Sequence, residues 1–338
     1  MSFTVALAGD TMLGRSVADQ LRHSARADAL LAAELRDVIG TADLFVLNLE
    51  CCISERGEPW PAPGKEFFFR APPSAAEVLA ELGADCVTLA NNHALDYGRD
   101  ALADTLTLLA RSGIRTVGAG ENTAAAREFT VLEAGGSRLA VIGVADHPPD
   151  YAAHAHRPGT AYADLRHGVP AWLTALVGRA AEAADAVLVT PHWGPNMTTR
   201  PPHHVRAAAR ALLPAGATLI AGHSAHVFHG VAGPVVYDLG DFIDDYAVHP
   251  WLRNDLGLLY LATFDGPDPR HLAVTRLEAI PLVLGFCHTR PAEGEDRTWI
   301  RDRLTLACAE LGTAVTERDG RLLVDVPSPA GGSANLPG

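Results

Sequence analysis

The chain has 338 residues, 48% of them hydrophobic and 20% charged, with a formal net charge of −13 and a pI near 5.5. Such a balance suits a soluble globular protein with a large core, and the negative field argues against nucleic acid, an anionic membrane or another long polyanion as the main partner. Five cysteines, few and odd in number, predict a reducing cytoplasm rather than a disulfide framework.

The run FTVALAG (3–9) predicts a strand and has neither the basic start nor the apolar stretch of a signal peptide. No window is long and apolar enough for a transmembrane helix. A helix is predicted from about 16 to 38. LFVLNLE (44–50) follows as a strand: at period two Phe45, Leu47, Leu49 and Cys51 share one face, and Val46, Asn48, Glu50 and Cys52 the other. A Pro/Gly-broken loop leads to a helix at 74–82, a strand CVTLANNH (86–93), a helix at about 100–112 and TVGAG (116–120). RLAVIGVAD (138–146) reads as a strand before a loop, 147–168, whose His147, His154 and His156 are expected to be solvated surface, the alternative being a mobile rim over the site. A helix at 169–183 precedes AVLVTPHWG (186–194), a helix at 203–213 precedes TLIAGHSAH (218–226), and GPVVYDLGDFID (233–244) closes the series. Strands alternating with helices predict a layered α/β fold whose functional groups gather at the C-terminal ends of the strands. We expect a catalytic domain over 1–267, an accessory strand-helix-strand segment packed on it over 268–327, and a disordered tail at 328–338.

Those strand ends carry Asp10, Glu50, Asn92 with His93, His192, and His223 with His226. A carboxylate buried alone at a strand end costs several kcal/mol, so Glu50 needs a partner. Two carboxylates, an amide oxygen and imidazoles suit a pair of divalent ions, Mn²⁺ first and Fe²⁺, Zn²⁺ or Co²⁺ next, better than the all-oxygen shells of Ca²⁺ or Mg²⁺. Arg15 and Arg70 are candidates for gripping a substrate carboxylate or phosphate, because a guanidinium forks onto such groups.

GDTMLGR, NLE, LANNHALDYG, PHWG, AGHSAHV and YDLGDF stand in the order and spacing of the CapA-like family, and from Phe3 to about Phe242 the chain resembles those capsule and poly-γ-glutamate synthesis proteins. The family is similar to the calcineurin-like metallophosphoesterases. The resemblance implies a four-layer α/β/β/α sandwich, Glu50 as the metal-bridging carboxylate, Asp10 and His226 on one ion, and Asn92, His192 and His223 on the other. It places His93 where a catalytic acid/base histidine sits. Departures stand at Met12, where phosphoesterases carry a ligand histidine; at Asn196, where capsule-type relatives often carry glutamate and which we assign to substrate; and at Asp241, where they usually carry asparagine.

The leading expectation is metal-dependent Cα epimerisation of a peptide residue, with His93 as one base and Cys52 or Asp241 as the second. The CapA-like family is also associated with ribosomal-peptide clusters, lasso peptides among them, and the acidic chain without a membrane segment is closer to those members. The substrate would be a peptide, such as a precursor peptide. The alternatives are hydrolysis of a phosphoester or amide, a role in poly-γ-glutamate synthesis, which the net charge disfavours, and a non-enzymatic metal-stabilised peptide binder.

Overall fold

The computed structural model describes residues 2–268 and 270–326; the tail expected to be disordered, 328–338, lies outside them. The chain forms a mixed α/β fold with a ten-stranded and a six-stranded sheet. In the first, β1 (Phe3–Thr11) pairs in parallel with β2 (Leu44–Leu49), followed outward by β3 (Cys86–Thr88) and β4 (Arg115–Val117). The chain then crosses to the second sheet: β5 (Thr130–Ala134), β6 (Ser137–Ala145), β7 (Ala186–His192), β8 (Leu219–Ala221), β9 (Val231–Ala232) and β10 (Val235–Val236), in spatial order β9-β10-β8-β7-β6-β5. It returns through β11 (Asp241–Ile243), parallel to β1, and β12 (Leu256–Asp265), antiparallel to β1. The strands β13 (Ala273–Gly285), β14 (His288–Pro291), β15 (Val315–Arg318) and β16 (Arg321–Val324) extend that same sheet.

Alternation decides what each face buries. Val5, Leu7 and Val46 meet Leu139, Val141 and Leu188 of the second sheet in one shared apolar core. The intervening Ala6, Ala8, Phe45 and Leu47 face α1 (Arg15–His23), α2 (Ala33–Ile39), α3 (Ser74–Glu81) and α4 (Gly98–Arg111). On the far face of the second sheet, Ile142, Val187 and Val189 pack on α5 (Ala171–Ala183) and α6 (His203–Leu212). A further helix, α7 (Gly294–Ala309), brings Ile300, Leu304 and Cys308 into the shared core. Among the described residues no helix is long and apolar enough to cross a membrane.

The helix predicted over 16–38 is broken. The chain turns extended at Ser24, and buried Leu30 and Leu31 are drawn against β14: Thr289 N donates to Leu30 O at 2.9 Å and Ala32 N to Thr289 O at 3.0 Å. Strand-like pairing outweighs the helix propensity of an alanine-rich run.

One buried histidine away from the strand ends sets an acid limit. His229 Nε2 donates to Thr198 O at 2.8 Å, and burial pulls its pKa down to about 4. The unfolded chain protonates this ring near 6.5, so its contribution is present above that pH and is lost as pH falls from 6.5 towards 4. His229→Gln should therefore flatten the loss of unfolding free energy over that window by up to about 3 kcal/mol, read from urea titrations at several pH values; parallel slopes for the two proteins would refute it.

Candidate metal centre

Asp10 is the penultimate residue of β1, its Cα paired with Asn48 on one side and Asp241 on the other. Asn48 Nδ2 donates to Asp10 Oδ1 at 2.7 Å, and Asn91 Nδ2 donates to Asn48 Oδ1 at 2.9 Å, so an amide relay fixes the carboxylate. Two groups of side chains can each hold an ion with ligand atoms within 4.8 Å of one another: Asp10, His192 and His223, and Asp10, Glu50, His226 and Asp241. All are buried. Asp10 is common to both. Glu50, expected to bridge two ions, stands in the second group.

Asp241, expected as a base, enters the second group as a ligand candidate. His226 Nδ1 lies 2.7 Å from its Oδ1. Met12 contributes nothing there: its sulfur accepts from Gly14 N at 3.0 Å within the apolar core. The turn carrying the last two imidazoles is held in unusual backbone, with φ of 120° at Ser224 and 59° at His226. Asp238 anchors it by accepting from Ala225 N and Gly240 N, both at 2.9 Å; strain held by such anchoring is typical of functional turns.

The donor set fits divalent cations. Asp10 Oδ2, both Glu50 oxygens, Asp241 Oδ2, Asn92 Oδ1 and His192 Nε2 are buried without a hydrogen-bond partner, an arrangement that native proteins tolerate where an ion supplies the missing interaction. Burial, then the neighbouring Asp10, pushes Glu50 well above the ordinary carboxylate range. Burial and Asp244 do the same to Asp241, and burial raises Asp10. Burial holds His192 well below its usual value and His223 at about 3, so both present neutral nitrogens. Burial disfavours the charged form of His226, but the surrounding carboxylates, Glu50 and Asp10 foremost and then Asp238 and Asp244, outweigh it and raise its pKa. His223 Nε2 lies 3.1 Å from Thr190 Oγ1, leaving Nδ1 for the centre, the outer support usual for a ligand imidazole.

His93 stands beside this cluster. Its Nδ1 is 2.6 Å from Asp96 Oδ2 and its ring stacks on Phe69 at 4.1 Å. Asp96 also accepts from Phe69 N, Tyr151 Oη and Lys65 Nζ, at 2.6, 2.9 and 2.9 Å. His93, His226, Arg15 and Asn196 line one cleft of about 340 Å³.

Two expected residues point elsewhere. Cys52 leaves the Glu50 strand for a two-residue ribbon with Arg70–Ala71. Its sulfur faces Phe69 O at 3.4 Å, and burial pushes its pKa up to about 12. Arg70 lies over the Tyr97 ring at 4.0 Å and donates to Arg56 O and Gly57 O at 3.4 and 3.3 Å, away from the cleft. Cys51 packs in the apolar core.

Sequence reasoning passed over several partners. Asp96 follows His93 by three residues, the spacing that puts it in reach. His147, expected on solvated surface with a rim over the site as the alternative, has Nδ1 at 2.5 Å from Asp146 Oδ1 and its ring 5.1 Å from that of His192. Asp146 in turn accepts from Gly194 N at 2.9 Å. The Tyr246 hydroxyl is buried and unpartnered, with its ring 5.4 Å from His226.

The family described as bacterial capsule synthesis protein, PGA_cap, matches residues 4–246. A probable polyglutamine synthesis accessory protein of Mycobacterium tuberculosis is 30% identical over 377 residues, 96% of either chain. The PGA biosynthesis protein CapA of Bacillus subtilis is 29% identical, covering 74% of this chain and 65% of its own. The capsule biosynthesis protein CapA of Bacillus anthracis is 27% identical, covering 74% and 61%.

Proposed function

This chain belongs to the bacterial capsule synthesis protein family, and on that footing we propose that it is a divalent-metal-dependent enzyme of the hydrolase type, acting on an amide-linked glutamyl chain as an accessory to polymer synthesis. The observation that carries this reading is the pair of buried ligand groups sharing Asp10, with their unpartnered oxygens and neutral imidazoles. The names of the relatives, polyglutamine and PGA synthesis proteins, support the polymer as context. Helices on the outer faces of two sheets with a common core support the four-layer sandwich as the finer description.

Asp10, Glu50, His226 and Asp241 would hold one cation, and Asp10, His192 and His223, with Asn92, the other. Divalent ions held there supply Lewis-acid polarisation of a substrate carbonyl. His93, fixed by Asp96, presents its other nitrogen to the cleft, where it can pass a proton to the departing amine; Asp96 accepts its Nδ1 hydrogen and so sets the tautomer. The net reaction consumes one water and yields a carboxylate and an amine.

Peptide epimerisation, the leading expectation from the sequence, gives way to the polymer alternative that net charge had disfavoured, because the family description and the relatives' names speak of polymer and capsule synthesis. One observation keeps it as a second reading: a second imidazole–carboxylate pair, His147 with Asp146, adjoins His192, and inversion at Cα needs two proton-transfer groups.

Mn²⁺-loaded protein incubated in D₂O with synthetic glutamyl oligomers separates the cases. Release of free amine, reduced by ~10²-fold or more in His93→Ala at unchanged metal content, is the expected result. Deuterium uptake at Cα without cleavage would favour epimerisation, and a metal-loaded protein inert in both assays would sink the enzymatic reading.

A further inference from the structure

We propose that Tyr246 is a catalytic residue of this centre: its hydroxyl donates a hydrogen bond to the carbonyl oxygen of the scissile amide as that oxygen gains negative charge. This rests on the reading that the site cleaves an amide-linked chain.

The Tyr246 hydroxyl is buried and has no hydrogen-bond partner, a costly state for a polar group and one that native chains keep for few residues. Its ring is fixed on three sides. It stands edge-on to His226 at 5.4 Å and 87°, tilts against Phe69 at 5.8 Å and carries the Arg15 guanidinium 5.2 Å from its centre. Its own backbone N donates to Asp244 Oδ1 at 3.0 Å, which ties the segment down. The hydroxyl is therefore in place before a substrate arrives, the condition under which a donor best opposes developing charge. A phenol keeps its proton at neutral pH, and burial, then the nearby charge of Glu50, strengthens that hold.

Tyr246 lines the cleft of about 340 Å³ together with His93 and His226. The other donors of that cleft are committed or exposed. Arg15 Nε donates to Asp245 Oδ1 at 2.9 Å, and Asn254 Nδ2 donates to Ala247 O at 3.2 Å. His226 belongs to the second ligand group. His93 is held by Asp96 through Nδ1, and its other nitrogen serves the leaving amine. Asn196 is exposed at the rim. Among the described residues that line the cleft, Tyr246 is thus the buried donor left for an oxygen.

In the reaction, water adds to the carbonyl carbon and gives up a proton to His93. The π pair moves onto the carbonyl oxygen, where the Tyr246 hydroxyl donates to it without losing its own proton. The pair then returns, the C–N bond breaks and His93 hands its proton to the nitrogen, so the tyrosine ends as it began.

Mn²⁺-loaded Tyr246→Phe, assayed beside wild type on capped glutamyl oligomers, gives the test. Turnover should fall by ~10², with KM within ~2-fold of wild type and metal content unchanged. A capped glutamyl phosphinate carries a charged oxygen on a tetrahedral centre where the planar amide carries a neutral one. Its affinity should drop ~10²-fold in the variant, because the bond belongs to the tetrahedral state. Chelated protein supplies the readout that a structural hydroxyl would move the other way. Removing an unpartnered buried hydroxyl relieves its desolvation, so the urea midpoint of Tyr246→Phe should equal or exceed that of wild type. Wild-type turnover in the variant, equal phosphinate affinity, or a lowered midpoint accompanying the loss of turnover would each overturn the role. A metal-loaded wild type that cleaves no glutamyl oligomer sinks the functional reading and this role with it, whereas an active wild type matched by Tyr246→Phe sinks the role alone.

Discussion

Asp10→Asn should empty both cation sites at once. Asparagine keeps the shape and can still accept from Asn48 Nδ2, so the amide relay of Asn48 and Asn91 survives. What disappears is the negative charge common to both ligand groups. Loss of an outer support typically weakens metal binding by 10–100-fold, and loss of a shared ligand should exceed ~10² at each site. Elemental analysis of desalted protein should find two equivalents in wild type, none in Asp10→Asn and one in Glu50→Gln, since Glu50 serves a single group. One equivalent retained by Asp10→Asn would show that the two sites do not depend on it jointly. Turnover should fall by ~10³. The stripped protein carries a further signature. Asp10, Glu50 and Asp241 have pKa values raised by burial, so their contribution to folding is favourable below the unfolded carboxylate value near 4 and is lost as pH rises through their folded values. Chelated wild type should melt at lower temperature as pH rises from 4 to 8, and Asp10→Asn should reduce that slope while abolishing the rise in melting temperature on adding Mn²⁺.

Gly9→Ala should unfold the centre from beneath. A Cβ at Gly9 would stand 1.8 Å from the carbonyl oxygen of Gly240, an oxygen that accepts from Asp10 N at 2.9 Å. The obstacle is backbone on both sides, so relief requires β1 and β11 to separate, and those strands carry Asp10 and Asp241. Overpacking of this kind usually costs 1–3 kcal/mol, and with a ladder hydrogen bond lost as well we expect about 3 kcal/mol or more. Denaturant titration should show the midpoint falling with metal content. A loss under ~1 kcal/mol would mean that the strands separate without penalty.

Much of the frame was legible because alternation is a local property. The face of Phe45, Leu47, Leu49 and Cys51 does pack on the helices, and Val46 does turn to the other sheet. The polar strand ends were legible for the same reason, since a run of buried apolar residues ending in Asp10, Glu50 or His192 announces an unpaid desolvation. The failures were matters of distance along the chain. Nothing local tells that Thr289 takes the backbone of Leu30 and Ala32 and so ends the helix expected over 16–38. Period two placed Cys52 with Glu50, but a fresh pairing with Arg70 begins at that residue. Which carboxylate is shared depends on β1 lying between β2 and β11, and that order is not written in either strand. Net charge is a weak guide for a related reason: it is a sum over the whole surface, whereas a cleft answers to the few groups around it.

The position of β1 also governs when the centre can exist during synthesis. Its Phe3 to Leu7 stretch pairs with Phe264 to Tyr260 of β12, and the ligand groups draw on residues from 10 to 241. Pairings across so much sequence form late and slowly, and a growing chain folds from its N-terminal side as it emerges. A nascent chain halted before residue 192 presents Asp10 and Glu50 but lacks every imidazole of both groups. Its β1 also lacks β11 and β12 along one edge. Cation capture has to wait for the later part of translation, and metal uptake by ribosome-stalled chains of increasing length should be absent before residue 223 and reach its full level only once residue 241 has cleared the exit tunnel.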